Sequence, residues 1–166
     1  NIQFKSNIII KKNPLNINFL NYEKDEEKNT VIDFEGANYN GNLKIDNFLI
    51  KEEDNFIKIA ELRFNKSLRI KSFKNIEINF FDKDNIKNDF KAYKENKNYF
   101  LKGSSLNADN LIEKLLKNDK TNKVIFDNKF EFKINLEKVF LDKDNIINDF
   151  TGNLTLSNQI ITNANL

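Results

Sequence analysis

The chain has 166 residues, of which 27 are Lys or Arg and 25 are Asp or Glu, and it contains no His, Cys, Met or Trp. Without His and Cys it lacks the usual general base, the commonest metal ligand, thiol chemistry and disulfides. The charges alternate in sign without a basic stripe, which argues against a nucleic-acid partner, and no apolar run approaches the ~20 residues that span a bilayer.

Strict alternation of apolar and polar residues, the period of a half-buried strand, dominates the first half of the chain. The apolar positions of the predicted strands are Ile2, Phe4, Ile8 and Ile10; Leu15, Ile17 and Phe19; Ile32 and Phe34; Leu43 and Ile45; and Phe48 and Ile50. A bulge near Asp46-Asn47 is predicted between the last two pairs. Asn40-Gly41 predicts a tight turn, and the charged run over residues 22–29 predicts an exposed loop.

The second half of the chain continues the alternation and adds one helix. Strands are predicted over residues 56–64, 68–80, 86–94, 98–101, 129–136, 153–156 and 159–166. Leu111, Ile112, Leu115 and Leu116 recur at helical spacing, which predicts a short amphipathic helix near residues 107–117. Either Asn107 or Asp109 is placed to cap this helix, because a short polar side chain there accepts from the free first-turn N–H groups.

The sequence contains an internal repeat. Residues 81–90 read FDKDNIKNDF and residues 141–150 read LDKDNIINDF. Each copy follows one alternating segment and precedes another, so the predicted unit is a strand, an Asp/Asn-rich turn and a return strand. Units of this kind suit a sheet that grows by adding strands.

No residue pattern predicts a catalytic or metal centre. The Asp-x-Asp-Asn turns lack the Gly and the Glu that an EF-hand calcium loop requires. Glu52, Glu53 and Asp54 have no aromatic platform beside them, and Ser104 and Ser105 lack both a His partner and a nucleophile elbow. We therefore expect a protein that is not an enzyme and that has no cofactor and no bound metal.

These patterns predict a single mostly β segment over residues 1–166, with a long antiparallel sheet and one short helix. Because the chain has only four Gly and one Pro, Asn and Asp must supply most of its turns. The apolar strand faces either fill the closed core of a sandwich or barrel, or form the groove of a curled, half-open sheet. The residue patterns alone leave both alternatives open.

The region around the predicted helix resembles a known family. Residues 99–116 read YFLKGSSLNADNLIEKLL, residues 130–141 read FEFKINLEKVFL and residues 150–154 read FTGNL. This order of a strand ending in Lys-Gly, a Leu-rich helix, an alternating strand and a strand with Phe-x-Gly-x-Leu is similar to the AsmA-like proteins of Gram-negative envelopes. The similarity spans about residues 97–166, which we expect to form a helix-containing section. Where the family usually has Asp at the helix start, this chain has Asn107.

The resemblance implies a section of a bridge-like lipid transport protein. Proteins of this family are anchored in the inner membrane by an N-terminal helix. Their periplasmic part is a very long, half-open β structure with an apolar groove, through which phospholipids are thought to pass between the inner and outer membranes. The implied partners are phospholipid acyl chains and neighbouring β segments of the same longer chain. Since the sequence begins at Asn1 without Met, we expect a fragment whose membrane anchor lies outside it.

In such a groove, apolar strand faces take acyl chains out of water, which is worth ~0.8 kcal/mol per buried CH₂. The predicted groove-lining residues are Ile2, Phe4, Ile8, Ile10, Leu15, Ile17, Phe19, Ile32, Phe34, Leu43, Ile45, Ile76, Ile78, Phe80, Phe130, Phe132, Ile134, Leu136, Leu154 and Leu156. The alternative is a structural or adhesive β-sandwich module of the cell envelope, which requires a closed core. A glycan hydrolase is a third hypothesis, and the absence of Trp counts against it.

Overall fold

The computed structural model describes residues 1–116, 129–157 and 160–165, and the side chains of Phe19, Ile160 and residues 113–116 lie outside that description. A 3₁₀ turn covers Asn18–Leu20, and the helix α1 covers Asp109–Leu116. The strands are β1 (Ile2–Ile10), β2 (Asn16–Ile17), β3 (Tyr22–Glu23), β4 (Thr30–Tyr39), β5 (Asn42–Glu52), β6 (Asn55–Phe64), β7 (Ile70–Ser72), β8 (Asn75–Phe81), β9 (Lys87–Glu95), β10 (Asn98–Asn107), β11 (Phe130–Phe140), β12 (Ile146–Ser157) and β13 (Ile160–Asn165).

The described strands form one large open sheet. Its order is β1-β4-β5-β6-β8-β9-β10-β11-β12-β13, with β7 beside β6, and β2 and β3 form a separate small ribbon. The sheet is not closed, so β1 and β13 are its edges. These features confirm the predicted mostly β class.

One strand pair departs from the predicted antiparallel arrangement. β10 and β11 pair in parallel, from Tyr99 with Phe132 to Asn107 with Phe140. Parallel neighbours require a long crossover connection, usually with a helix. The chain between β10 and β11 contains α1. The predicted helix is therefore part of the crossover that joins these two parallel strands.

The two faces of the sheet differ in polarity because paired residues share a face. One row across the sheet consists of Ile8, Ile32, Ile50, Ile57, Ile78, Phe90, Gly103, Leu136 and Phe150. The adjacent row consists of Asp33, Leu49, Lys58, Glu77, Lys91, Lys102, Asn135 and Thr151. We call the face of the first row the apolar face and the face of the second row the polar face.

Two local predictions in the first half are confirmed. Asn40 and Gly41 have φ angles of 52° and 82° and connect the paired residues Tyr39 and Asn42, as a two-residue hairpin turn requires. Glu35 pairs with Asn47 while Gly36 pairs with Ile45, which leaves Asp46 as an extra residue in β5. The bulge changes the alternation, so Ile45 and Phe48 both belong to the apolar face.

Three other predictions are corrected. The predicted strand over residues 68–80 is interrupted between β7 and β8, and Leu68 lies in a turn at φ 57°. The predicted strand over residues 15–19 is only β2, followed by the 3₁₀ turn. The predicted exposed loop over residues 22–29 buries Tyr22 and Lys24, because its first residues fold onto the apolar face and do not extend into solvent.

The two copies of the sequence repeat occupy the β8–β9 and β11–β12 connections. The Asp82 and Asp142 carboxylates each accept a backbone N–H two residues later, at 2.9 and 2.8 Å. The strand registers differ, because Phe81 pairs with Lys87 whereas its counterpart Leu141 lies in the connection, after Phe140 has paired with Ile146. The turn chemistry is therefore shared, and an array of identical units stays a prediction.

The start of α1 is fixed by the predicted cap. The Asn107 Oδ1 accepts the Asp109 N–H at 3.2 Å, and the Ala108 carbonyl accepts the Ile112 N–H at 2.8 Å. Lys117, the predicted last residue of the helix, lies outside the described residues. Within the described ranges, α1 falls short of the length and apolarity needed to cross a membrane.

Candidate functional site

The apolar face contains two overlapping groups of packed side chains. The central cluster spans β5 to β11, and its buried members are Tyr22, Ile50, Ile57, Ile78, Phe80, Phe90, Leu106, Ala108, Ile134, Leu136 and Val139. The end cluster is built from Phe73, Ala92, Tyr99, Phe130 and Leu156. Ile76, Leu101, Phe132 and Leu154 pack against both groups, so the apolar surface is continuous along the strands.

The structure places the predicted groove-lining residues in three classes of exposure. The buried ones are Ile78, Phe80, Phe130, Ile134, Leu136 and Leu156. The half-buried ones are Phe4, Ile10, Leu15, Ile17, Ile32, Phe34, Leu43, Ile45, Ile76, Phe132 and Leu154. Ile2 and Ile8 are exposed, and the Phe19 side chain lies outside the described residues.

The most buried of these residues are filled core positions in this conformation. Phe80 is 0% exposed, and Phe130 and Leu136 are each 1% exposed. A bound chain could reach these side chains only if protein atoms moved away. The accessible part of the apolar face therefore consists of the half-buried positions and of the β1 edge.

One end of the apolar face is covered by residues 15–24 together with α1. The Tyr22 ring packs edge-on against Phe80, with 5.1 Å between ring centroids, and Leu15, Ile17, Leu20 and Ile112 pack against the central cluster. The Asn110 side chain donates to the Asn18 carbonyl at 2.8 Å and also to the Asn21 side chain. We call this element the cover; Leu15 and Ile17 therefore lie above the sheet and not in it.

Two polar groups are buried where the cover meets the sheet. The Thr30 hydroxyl donates to Glu52 at 2.8 Å, and both residues are buried. The Tyr22 hydroxyl is buried beside the Thr30 side chain and makes no well-formed hydrogen bond. Burial, reinforced by the nearby Glu52 charge, raises the pKa of Tyr22 to about 12. Tyr22 therefore stays neutral at any physiological pH.

The opposite end of the apolar face holds an aromatic group. The Phe73 ring lies 4.8 Å from that of Tyr99 and 6.1 Å from that of Phe130. Phe73 lies two residues before the start of β8, which is three strands from β11 in the sheet, or roughly 14 Å at the usual strand spacing. The rings thus converge over the face, and Phe73 occupies the space that the interruption between β7 and β8 makes available.

The polar face carries ion pairs and Lys–aromatic contacts. Lys5 lies 3.4 Å from Glu35, and Lys91 lies 3.6 Å from Glu77. Hydrogen bonds from neighbouring Asn side chains, followed by these Lys contacts, lower the pKa of both Glu carboxyls. Lys58 lies over the Phe56 ring at 4.8 Å. This face keeps its charges in water.

The predicted groove-lining residues left out several members of the central cluster, namely Ile50, Ile57, Phe90, Leu106 and Val139. Each lies within a predicted or extended strand, but only Phe90 and Leu106 alternate with polar residues on both sides, because Ile50, Ile57 and Val139 each have one apolar neighbour. Tyr22 and Phe73 lie outside regular alternation. Only the chain path brings these two rings over the sheet.

Among the described residues, no three His, Cys, Asp or Glu side chains are grouped to hold a metal ion. The two best-formed depressions are shallow and have volumes of about 480 and 390 Å³. The larger one lies on the polar face near the β13 edge, where its lining includes Glu131, Lys133, Asn153 and Thr155. The apolar face is suited to contact with other apolar surfaces.

Comparisons with family models, with curated proteins and with solved structures find no match for this chain. The fold and the polarity of its faces are therefore the basis for the functional argument.

Proposed function

We propose that this chain binds lipid acyl chains along the apolar face of its open sheet, as one section of an AsmA-like phospholipid conduit of the cell envelope. The observation that carries the proposal is the continuous apolar row from Ile8 on β1 to Phe150 on β12. A sheet with one largely apolar face must cover that face, and acyl chains are a suitable cover.

The distribution of exposure supports binding at the margins of the face. The centre is filled by side chains such as Phe80 and Leu136, whereas Phe34, Leu43 and Phe132 are only half-buried. An acyl chain laid along these half-buried positions gains ~0.8 kcal/mol per buried CH₂. On this proposal the protein lies in the periplasm and is anchored to the inner membrane by a segment outside residues 1–166.

The same filled centre favours a second candidate, a structural or adhesive β module of the envelope. In that case Phe80, Phe130 and Leu136, each at most 1% exposed, are simply the core. The two proposals differ in whether lipid contacts the half-buried part of the apolar face.

Site-specific photo-crosslinking tests this difference. Phe132→p-benzoylphenylalanine places a photoreactive group on the apolar face of β11, and Lys133→p-benzoylphenylalanine places it on the polar face of the same strand. Incubation with phosphatidylethanolamine and phosphatidylglycerol vesicles should give lipid adducts at position 132 and not at position 133. Equal labelling, or no labelling at either position, would contradict the conduit proposal and favour the structural module.

A further inference from the structure

β1 is a long sheet edge without the usual protection. All nine of its residues pair with β4 in one register, without a bulge. Its single charged residue, Lys5, is paired with Glu35 at 3.4 Å, and it contains no Pro. Ile2, Ile8 and Ile9 are 68%, 44% and 56% exposed. Natural edge strands are often shortened, bulged or charged to prevent pairing, whereas β1 is long and regular and has Lys5 as its single charge.

The other edge strand differs in length and in regularity. β13 is six residues long, and its pairing with β12 contains an irregularity at Thr155/Leu156. Its sequence ends in the polar run Thr162-Asn163-Ala164-Asn165. The exposed, regular and Ile-rich edge is therefore specific to β1.

The apolar-face positions of β1 are placed symmetrically about Ser6. Ile2, Phe4, Ile8 and Ile10 all lie on the apolar face, at equal separations on either side of Ser6. In an antiparallel pair of two β1 strands centred on Ser6, Phe4 of each copy lies opposite Ile8 of the other, and Ile2 lies opposite Ile10. A two-fold axis through this point, normal to the sheet, keeps both apolar faces on the same side.

We propose that β1 is the self-association surface of this protein and pairs antiparallel with β1 of a second copy, centred on Ser6. The polar face agrees with this register. Lys5 lies opposite Asn7 of the second copy, whose neighbour across the sheet is Asp33. Each Lys5 is thus brought toward a second carboxylate, and no like charges are placed opposite each other. The pairing joins the two apolar faces into one surface and rests on the fold alone, not on lipid binding.

Disulfide trapping tests the pairing directly, since the chain has no native Cys. Directly opposed residues of an antiparallel pair have Cα atoms about 4.5–5.5 Å apart, which is within the span of a disulfide. Ser6→Cys should therefore give a covalent dimer on mild oxidation. Asn163→Cys, an exposed position on the β13 edge, is the matched control and should remain largely monomeric.

Sedimentation equilibrium of the chain without Cys supplies the second measurement. The wild-type mass should approach twice the 19.6 kDa of one chain as concentration rises. Ile8→Lys should return it to the single-chain mass, because Lys would face Phe4 of the partner, while the circular dichroism stays unchanged. Phe4→Glu combined with Ile8→Lys should restore the dimer through two Glu–Lys pairs. A wild-type chain that stays monomeric would overturn the proposal and would indicate that the β1 edge pairs with a different strand. Equal cross-linking of the two Cys variants would also overturn it, because it would indicate random collision.

Discussion

Asp82 accepts a hydrogen bond from the Asn107 side chain at 2.7 Å, and this contact ties the β8–β9 turn to the start of α1. The same carboxylate also accepts from the Asn88 side chain at 3.2 Å and from the Ile86 backbone N–H at 2.9 Å. Asp82, Asn88 and Asn107 are all buried. The network therefore holds the cover onto the sheet at the end where the central cluster is most deeply buried.

Asp82→Ala is expected to destabilise the protein by about 2–4 kcal/mol, because it leaves several buried donors without an acceptor. Asp142→Ala, at the equivalent position of the second repeat copy, is the matched control. Asp142 is exposed and its donors can turn to water, so its loss should be much smaller. Urea unfolding of both variants measures the difference, and equal losses would show that the buried network does not stabilise the cover.

Gly103→Ala is expected to cost about 3 kcal/mol, because a Cβ there would lie 2.3 Å from the Asp89 carbonyl oxygen and 2.5 Å from the Phe90 Cα. Both neighbours are backbone atoms of the adjacent strand and cannot rotate away. In Gly41→Ala the new Cβ would contact only the Lys66 side chain, at 3.6 Å. Its cost, about 1–2 kcal/mol, comes from the left-handed backbone conformation at φ +82°. Thermal unfolding should rank Gly103→Ala as the more damaging change; the reverse order would mean that β9 and β10 are less closely packed than described.

Most strands of this protein were predicted from the sequence, because the alternation of apolar and polar residues is a local signal. The hairpin at Asn40-Gly41, the bulge at Asp46 and the Asn107 cap were predicted for the same reason, since each depends on the conformational preferences of a few adjacent residues. The parallel pairing of β10 with β11 depends on which strands become neighbours across a crossover. Nothing within either strand encodes that choice.

The sequence predicted which residues belong to the apolar face, but it did not predict how exposed each of them is. The alternation correctly placed Phe80 and Leu136 on the apolar face, but period two cannot distinguish a residue that lines a groove from one that fills a core. That distinction depends on what lies above the face. Here the cover contributes Tyr22, and its residues were predicted partly as a strand and partly as an exposed loop because the run of charges over residues 23–28 dominates the local pattern.

The loss of stability in Leu136→Ala indicates whether the centre of the apolar face is a filled core or an open groove. Since Leu136 is 1% exposed, we expect a loss of about 3 kcal/mol or more, from lost burial and the cavity that remains. Leu141→Ala, a residue 36% exposed just beyond the end of the same strand, should cost less than about 1 kcal/mol. Guanidinium unfolding without lipid gives both values. A cost for Leu136→Ala as small as that for Leu141→Ala would indicate that the centre of the face is open to solvent.

Tyr22 and Tyr99 are both buried tyrosines of the apolar face. We expect removal of their hydroxyls to affect the free energy of unfolding differently. The Tyr22 hydroxyl lies beside the Thr30 side chain without a well-formed hydrogen bond, so Tyr22→Phe should leave the free energy of unfolding at neutral pH nearly unchanged. The Tyr99 hydroxyl interacts with the Phe73 backbone, so Tyr99→Phe should lose about 1 kcal/mol. Urea unfolding at neutral pH compares the two variants, and a larger loss for Tyr22→Phe would show that its hydroxyl has a partner after all.

The pKa of Tyr22 adds an alkaline signature to this comparison. Its folded-state pKa of about 12 lies above the value of about 10 expected in the unfolded chain. The neutral phenol is therefore favoured by folding, and the stability it contributes is complete below about pH 10 and is lost as pH rises toward 12. Tyr22→Phe should flatten the stability–pH curve in this range relative to wild type, because the Lys titrations common to both proteins cancel. Identical curves for the two proteins would place the Tyr22 ring in water and away from Phe80.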